Sequence, residues 1–403
     1  MATVLVLGGG IGGAAAANAL RERLGQRHRI VVVDRETEQV FAPSLLWLMV
    51  GQRRPAAISR PLAKLLRPGI EIVHSRVREL DPAARRVATD GGELTGDAIV
   101  VALGAELAPE AMPGFADAAH DFFTLEGADR FASALAGFSG GRIVVAVSGL
   151  PFKCPAAPYE AAFLIDADLR RRSLRDRSTI ELHTPEPAPM PVAGPVLGRA
   201  VVDLLAERGI VYFPGHSIEA YEGATRQIRF ADGSVAGYDL LAAVPPHRPP
   251  AVVAGSGLAG PAGWISVDRG TLETSAPGVF AIGDVTAIAL VNGKLLPKAG
   301  VFAHAEARVV AGQIAARLEG GPAARFDGQG YCWVELGAGE AGFASGDFYA
   351  EPDPAVELRR PGRTWHAGKV LFERYWLSQG LLHELAGVAL RLGSAILRVP
   401  GRL

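Results

Sequence analysis

Two sulfur atoms are the most reactive groups in this chain of 403 residues: Cys154, in Pro151-Phe152-Lys153-Cys154-Pro155, and Cys332, in Gly330-Tyr331-Cys332-Trp333, with no other cysteine between or beside them. A thiol can attack an electrophile, form one half of a redox couple, or fill core space as a small apolar group. The chain runs from Met1-Ala2-Thr3 straight into the apolar Val4-Leu5-Val6-Leu7, with no basic stretch or cleavable hydrophobic segment ahead of it. That start predicts a cytoplasmic origin, where a purely structural disulfide is not maintained. Two readings then stand, a pair of inert thiols or sulfur redox chemistry, and the context of each cysteine has to decide.

The remaining chemistry-bearing residues describe a nucleotide site. Val4–Leu7 reads as a buried strand, Gly8-Gly9-Gly10-Ile11-Gly12-Gly13 as a turn, Ala14–Leu24 as a helix, and Ile30–Val33 as a second strand ending at Asp34. In such a unit Gly8 permits the tight turn, Gly10 lets the backbone approach a pyrophosphate, and Gly13 lets helix and strand pack closely. Asp34 is placed to accept hydrogen bonds from a ribose diol. Further on, Val279–Asp284 predicts a short strand that delivers Gly283 and Asp284 to the ligand edge of the sheet, with Asp284 facing a ribityl hydroxyl. Lys298, in the loop before an alanine-rich helix over Val301–Leu318, is either solvated or sets positive charge beside a reduced flavin; His304 and Glu306 on that helix are equally open. No metal is expected.

The elements that must hold these residues are those of a large folded protein. Hydrophobic residues make up 49% of the chain and charged ones 21%, enough for two or three domains. A net charge of -1 offers no electrostatic footprint for nucleic acid. Arg142–Val147 predicts the first strand of a second dinucleotide-binding unit, yet Ser148-Gly149-Leu150-Pro151-Phe152-Lys153-Cys154-Pro155 follows where a glycine fingerprint belongs. Two prolines and two bulky side chains make a poor pyrophosphate cradle, so this second Rossmann-like unit is read as having lost nicotinamide binding. Helices over Ala161–Leu174 and Leu197–Arg208, strands at Ile180–Leu182 and Leu240–Val244, a turn at Asp232-Gly233 and a proline-rich surface loop over Pro185–Pro195 complete it. The expected fold is α/β: an FAD-binding domain from 1–110 and 255–320, the degenerate second domain over 111–254, both of the glutathione-reductase type, and a C-terminal α+β region with amphipathic helices over 321–403.

At these residues the chain resembles the sulfide:quinone oxidoreductases and the flavoprotein subunit of flavocytochrome c sulfide dehydrogenase. The resemblance is carried by Gly8-x-Gly10-x-x-Gly13, Pro151–Glu160 around Cys154, Val279–Asp284, Leu296–Ala303 with Pro297-Lys298, and Gly330-Tyr331-Cys332. It implies that Cys154 and Cys332 meet over one face of a noncovalently bound FAD as a redox-active, disulfide or sulfur-bridged pair. Hydrosulfide would attack the bridge and electrons would pass through FAD to a quinone. By position in the matching motif, Glu160 becomes a candidate proton carrier, against the alternative of a glutamate that only faces its helix dipole. Lys298 becomes a candidate to stabilise charge on the flavin. A third cysteine found in many sulfide:quinone oxidoreductases is missing, and Asp121-Phe122-Phe123-Thr124 stands in its region.

The tail adds a surface. Residues 381, 385, 388, 392 and 396 form an apolar helical stripe, with Glu384, Arg391 and Arg398 recurring on another face. Charges interrupt the run, so an interfacial helix is expected rather than a spanning one, placing the protein peripherally on the inner face of the cytoplasmic membrane. A helix packed on the core or on a homo-oligomeric partner is the alternative. Two other functions share parts of this pattern: delivery of electrons to a cytochrome partner, and a type II NADH:quinone dehydrogenase, which would require an intact second nucleotide loop.

Overall fold

The computed structural model describes residues 1–378, 380–397 and 399. Its first layer grows from the N-terminal motif. β1 (Thr3–Leu7), α1 (Ile11–Leu24) and β2 (Arg29–Asp34) form a right-turning unit in which β1 and β2 pair in parallel, Thr3 against Arg29 through Leu7 against Val33. The strands Glu71–His74, Ala98–Val101 and Val279–Ala281 extend this to a five-stranded parallel sheet, with Val279–Ala281 at one edge and Glu71–His74 at the other. Val4, Leu5, Val6 and Leu7 are wholly buried, as continuous apolar strands are when both sheet faces are covered. The final strand of this sheet is shorter than expected: it ends at Ala281, and Gly283–Val285 is a 3-10 turn that carries Asp284 just beyond it.

A second parallel sheet is built around β3 (Gly141–Val147), followed by α2 (Ala157–Arg171) and β4 (Ser178–His183). Its strand order runs His120–Asp121, Leu240–Val244, β3, β4, Val211–Phe213, all parallel. The two sheets are connected by the chain at Glu106–Leu107 and at His247–Arg248, which pair with each other antiparallel. α2 begins at Ala157 rather than Ala161, because Pro158 in its first turn starts the helix earlier. Glu160 therefore lies inside the first turn, and its side chain is buried.

The segment over Pro185–Pro195 departs from the expected surface loop. Glu186, Pro189, Met190 and Ala193 are buried, and Lys294 Nζ donates to the Pro191 carbonyl at 2.8 Å. Proline density signalled irregular backbone correctly, but Met190 and Ala193 supply apolar surface that joins the main core instead of facing water.

The chain returns to the first sheet as α3 (Gly300–Glu319), which packs along α1 at Gly12, where a Cβ would come within 3.3 Å of the Ala303 Cβ. β5 (Gln329–Gly337) then opens an antiparallel three-stranded sheet with Glu340–Asp347 and Ala355–Gly362. The tight reversal at Ala338-Gly339 uses two left-handed residues, φ 52° and 77°, the geometry that matches strand twist. Two helices finish the fold, α4 (Arg363–Leu377) and α5 (Leu381–Leu397). On α5 the expected apolar stripe is open to solvent: Leu381, Leu385, Val388, Leu392 and Ile396 are all exposed, Ile396 at 79%. Glu384 and Arg391 lie on α5, and Arg398 falls outside the described residues. Among the described residues no helix is long and apolar enough to cross a membrane.

Candidate active site

The glycine turn has the shape a pyrophosphate needs. Gly8 sits at φ 100° with its N–H on the Val33 carbonyl at 2.8 Å, and a Cβ there would overlap the Ala102 carbonyl. A Cβ on Gly13 would overlap the Gly8 carbonyl oxygen, so helix and strand meet backbone to backbone. Gly10 differs: its φ is -66°, and a Cβ would find no protein atom within 4 Å. It caps α1 without any side-chain cap, leaving the first helical N–H groups to a ligand. Asp34 accepts from Gly9 N and, at 2.8 Å, from Glu36 N, which fixes its carboxylate at the end of β2. These residues fit a dinucleotide.

The contrast between the glycines is testable. Gly13→Ala forces backbone apart and should cost about 2 kcal/mol or more of stability in protein stripped of cofactor. Gly10→Ala should leave that melting curve unchanged and still weaken FAD binding about tenfold or more, since its methyl enters ligand space. Denaturant titration and FAD fluorescence recovery on the two variants separate the effects; a Gly10→Ala protein that binds FAD normally removes Gly10 from the cradle.

At the opposite edge, Gly283 adopts φ 71° and donates its N–H to Glu306 at 2.6 Å. Burial pushes the Glu306 carboxyl up to about 7, with the Asp284 charge adding to the rise. Asp284 is half-buried, its carboxyl raised by desolvation, and among the described residues no protein group donates to it. It remains an open acceptor at the mouth of the turn. Lys298 is placed differently from a free charge. Its ammonium donates to the carbonyls of Asp284 at 2.7 Å and Thr286 at 2.8 Å and lies 3.5 Å from the centroid of the Trp264 ring. Burial lowers its pKa to about 8. Lys298 thus clamps the Gly283–Thr286 turn. His304 is packed edge-on against Trp376, and burial lowers it to about 4.

The sulfur site joins two remote segments. Cys154 takes a left-handed conformation, φ 56°, with its N–H on the Lys298 carbonyl at 2.7 Å and its carbonyl receiving Ala157 N at 2.9 Å. Cys332 comes in on β5 and its Sγ donates to the Trp333 carbonyl at 3.2 Å. Both thiols are half-buried and unbonded. A charge on Cys154 raises Cys332, and the Glu160 carboxylate raises both. Burial is the larger cause in each case, holding Cys154 at about 12. Raised in this way, the reduced thiols are weak nucleophiles at neutral pH.

Behind the cysteines lies a charged cluster that motif reasoning did not find. Glu160 Oε1 accepts from Lys369 Nζ at 2.7 Å and from Glu335 N at 2.8 Å. The Glu335 carboxylate meets His366 Nδ1 at 3.0 Å. Desolvation raises the Glu160 carboxyl, with Lys369 opposing it, while the two glutamates outweigh burial and raise Lys369. Glu160 is therefore a buried ion-pair partner of Lys369 and also lies in the first turn of α2, at the N-terminal end of the helix dipole. The signal available in the sequence was the spacing of His366, Lys369 and Glu373, three polar residues on one face of an otherwise mixed helix.

The loop after β3 differs from the glycine turn after β1. After β3, Ser148 Oγ lies 2.7 Å from Tyr221 OH, Phe152 is buried, and Pro158 removes an N–H from the first turn of α2. Ala156 caps α2 with no side-chain hydrogen bond.

Comparison with known proteins agrees with this geometry. The family model described as pyridine nucleotide-disulphide oxidoreductase matches residues 2–307. The mouse (Mus musculus) mitochondrial sulfide:quinone oxidoreductase is 25% identical over 87% of this chain and 79% of its own length. The sulfide-quinone reductase of Aquifex aeolicus is 28% identical over 93% of this chain and 90% of its own. The X-ray structure of the sulfide:quinone oxidoreductase from that bacterium superposes with a TM-score of 0.86 at 25% identity, covering 99% of this chain and 96% of that one. The chain thus belongs to the pyridine nucleotide-disulphide oxidoreductase family, and within it resembles the sulfide:quinone oxidoreductases along nearly its whole length.

Proposed function

We propose that this chain is a FAD-dependent oxidoreductase that oxidises sulfide at Cys154 and Cys332 and delivers the electrons to a quinone at a membrane surface. The observation that carries the reading is the packing of α2 against β5, bonded through Glu160 and the Glu335 N–H, which draws together the segments of Cys154 and Cys332, far apart in sequence, with Cys154 tied to the Lys298 carbonyl. The FAD would be held noncovalently by the Gly8–Gly13 turn, Asp34 and the Asp284 edge; when bound it supplies a two-electron acceptor at the site.

The protein's own part is sulfur and proton handling. Hydrosulfide attacks the oxidised bridge, one sulfur–sulfur bond forming as the other breaks, which leaves a persulfide on one cysteine and a thiolate on the other. The persulfide S–H then gives its proton to Glu160. The terminal sulfur closes onto the thiolate sulfur, two electrons leave, and the bridge is longer by one sulfur atom. The buried Lys369 ammonium offsets negative charge as it develops beside Cys332.

Stopped-flow absorbance of the flavin-loaded protein tests this. Anaerobic sulfide should bleach the flavin and a soluble quinone should restore it, while NADH should bleach it slowly or not at all, because prolines and bulky Phe152 follow β3 in place of a glycine-rich loop. Rapid bleaching by NADH and none by sulfide would replace the reading with a nicotinamide dehydrogenase.

The quinone side rests on α5. Five exposed apolar side chains on one face suit insertion into the headgroup boundary of a bilayer. Leu385→Glu with Leu392→Glu removes two of them, each worth about 1.5–3 kcal/mol when buried, so vesicle co-sedimentation should weaken by at least about a hundredfold. If the double variant instead splits a dimer in lipid-free solution and still binds vesicles, the stripe is a subunit contact.

A further inference from the structure

Gly9, between Gly8 and the helix-opening Gly10, gives both of its backbone polar groups to side chains. Its N–H is held by the Asp34 carboxylate, and its carbonyl accepts from Gln39 Nε2 at 2.6 Å. A Cβ on Gly9 would come within 2.5 Å of Leu62 Cδ2, so the residue is tightly enclosed. Asp34 stands out by its place at the end of β2. Gln39 carries no such signal: it sits in the short strand Glu38–Val40, paired antiparallel with Ser59–Pro61, and is 7% exposed.

The other end of the Gln39 carboxamide is held from the C-terminal region. Trp376 Nε1, in the last turn of α4, donates to Gln39 Oε1 at 2.9 Å. One amide thus accepts from the indole and donates to the turn; turned over, it would set donor against donor and acceptor against acceptor, so its neighbours fix its orientation. Arg60, the cross-strand partner of Gln39, meets the same helix end, its Nε donating to the Leu377 carbonyl at 3.1 Å. The Trp376 ring lies against Phe41, centroids 6.1 Å apart, and 5.7 Å from His304 near the start of α3. Glu373, one turn earlier on α4, bonds Arg53 at 2.8 Å and Ser44 at 2.6 Å. The end of α4 is thereby keyed into the first domain beside the dinucleotide turn.

We infer that Gln39 is a positioning residue of the pyrophosphate turn and that Trp376 holds Gln39 in place, so that FAD retention in the first domain depends on the docking of α4. The inference rests on the FAD of the reading above and on no step of its sulfur chemistry. The peptide between Gly9 and Gly10 has no Cβ on either side, and its rotation is checked by hydrogen bonds rather than by side chains of its own. The Gln39 bond keeps the carbonyl on a buried partner. Released, the oxygen can swing toward an anion at the start of α1 and carry the Gly10 N–H away from it, which opposes phosphate binding twice over. Trp376 acts one step back: without the indole N–H, the Gln39 oxygen is a buried acceptor with no donor, and the amide loses its fixed orientation.

The test is FAD titration of the cofactor-stripped full chain, followed by flavin fluorescence, on the parent, Gln39→Met, Trp376→Phe and the double variant. Gln39→Met should weaken FAD about tenfold or more and Trp376→Phe about threefold or more, the scale of a buried polar group left unpaired. The double variant should bind no worse than Gln39→Met, because Trp376 acts through Gln39. Gln39→Glu supplies a readout that a merely structural role does not move. Its carboxylate accepts from Trp376 but cannot donate to the Gly9 carbonyl, whereas its protonated form can. At pH 8 it should bind FAD more weakly than Gln39→Met, and at pH 5 more tightly; relief of charge repulsion alone would bring it only level. Trp376→Phe leaves Gln39 and the turn unaltered in sequence, so it decides the matter even where Gln39→Met fails to fold. Parent-like FAD affinity in either single variant, losses that multiply in the double variant, or Gln39→Glu no tighter than Gln39→Met at pH 5 overturn the inference and leave FAD binding standing. A parent that takes up no FAD overturns the FAD reading, and the inference with it.

Discussion

Cys154→Ser lowers sulfide-driven flavin reduction by at least about a thousandfold, and Cys332→Ser does the same, because a sulfur bridge needs both ends. Serine differs from cysteine by one atom, so the half-buried sites keep their packing: Cys154 N remains on the Lys298 carbonyl at 2.7 Å and β5 keeps its register. FAD content, read from the visible spectrum after gel filtration, should match the parent. The double variant should be no slower than either single one, since residues that act as a unit lose the activity together. A single variant retaining more than about a tenth of the parent rate would show that one thiol, or neither, takes part in the sulfur chemistry.

Lys369→Met has the largest expected effect on stability. It leaves the Glu160 carboxylate buried without its ammonium, a loss of about 3–5 kcal/mol when one member of a buried pair is removed. Adding Glu160→Gln removes the stranded charge and should recover about 2 kcal/mol or more, a coupling that independent sites do not show. The pH dependence has a definite sign. Burial raises the folded-state Glu160 carboxyl above its ordinary value, so the folded protein binds that proton more tightly than the unfolded chain does. Stability from this group is present at acid pH and is lost as pH rises through the raised value, and without Lys369 the raised value climbs further. Urea titrations at pH 5 and pH 8 should therefore show the larger deficit at pH 8; an equal deficit at both would mean that Glu160 is uncharged in the parent.

The residues that sequence reading placed well are those whose chemistry is local. Gly8, Gly10 and Gly13 announce a backbone shape, and the same backbone holds Asp34 where it was expected. Cys154 and Cys332 stood out through rarity and through the family resemblance of their flanking segments, not through any spacing between them. Lys298 was legible as a residue of interest but not in its geometry, because nothing in Pro297-Lys298 says that the ammonium would fold back onto the carbonyls of Asp284 and Thr286. The partners of Glu160 were not legible for a related reason. Glu160 stood out through its motif, but Glu335, His366 and Lys369 come from β5 and α4 and each alone reads as a solvated charge; only packing of the three elements brings them together. Pro185–Pro195 failed in the opposite way, since proline content reports backbone irregularity and says nothing about whether neighbouring apolar side chains are covered.

Cys154 and Lys298 share one more property. The main-chain bond between them spans the second nucleotide-type unit and the first, and the lysine's ammonium at the same time grips the turn that carries Asp284. The loop that carries the sulfur and the turn that carries Asp284 are thus tied through one residue. Separating them breaks a main-chain hydrogen bond, worth about 0.5–1.5 kcal/mol net, and a substitution at Lys298 is expected to disturb the turn and the sulfur loop together.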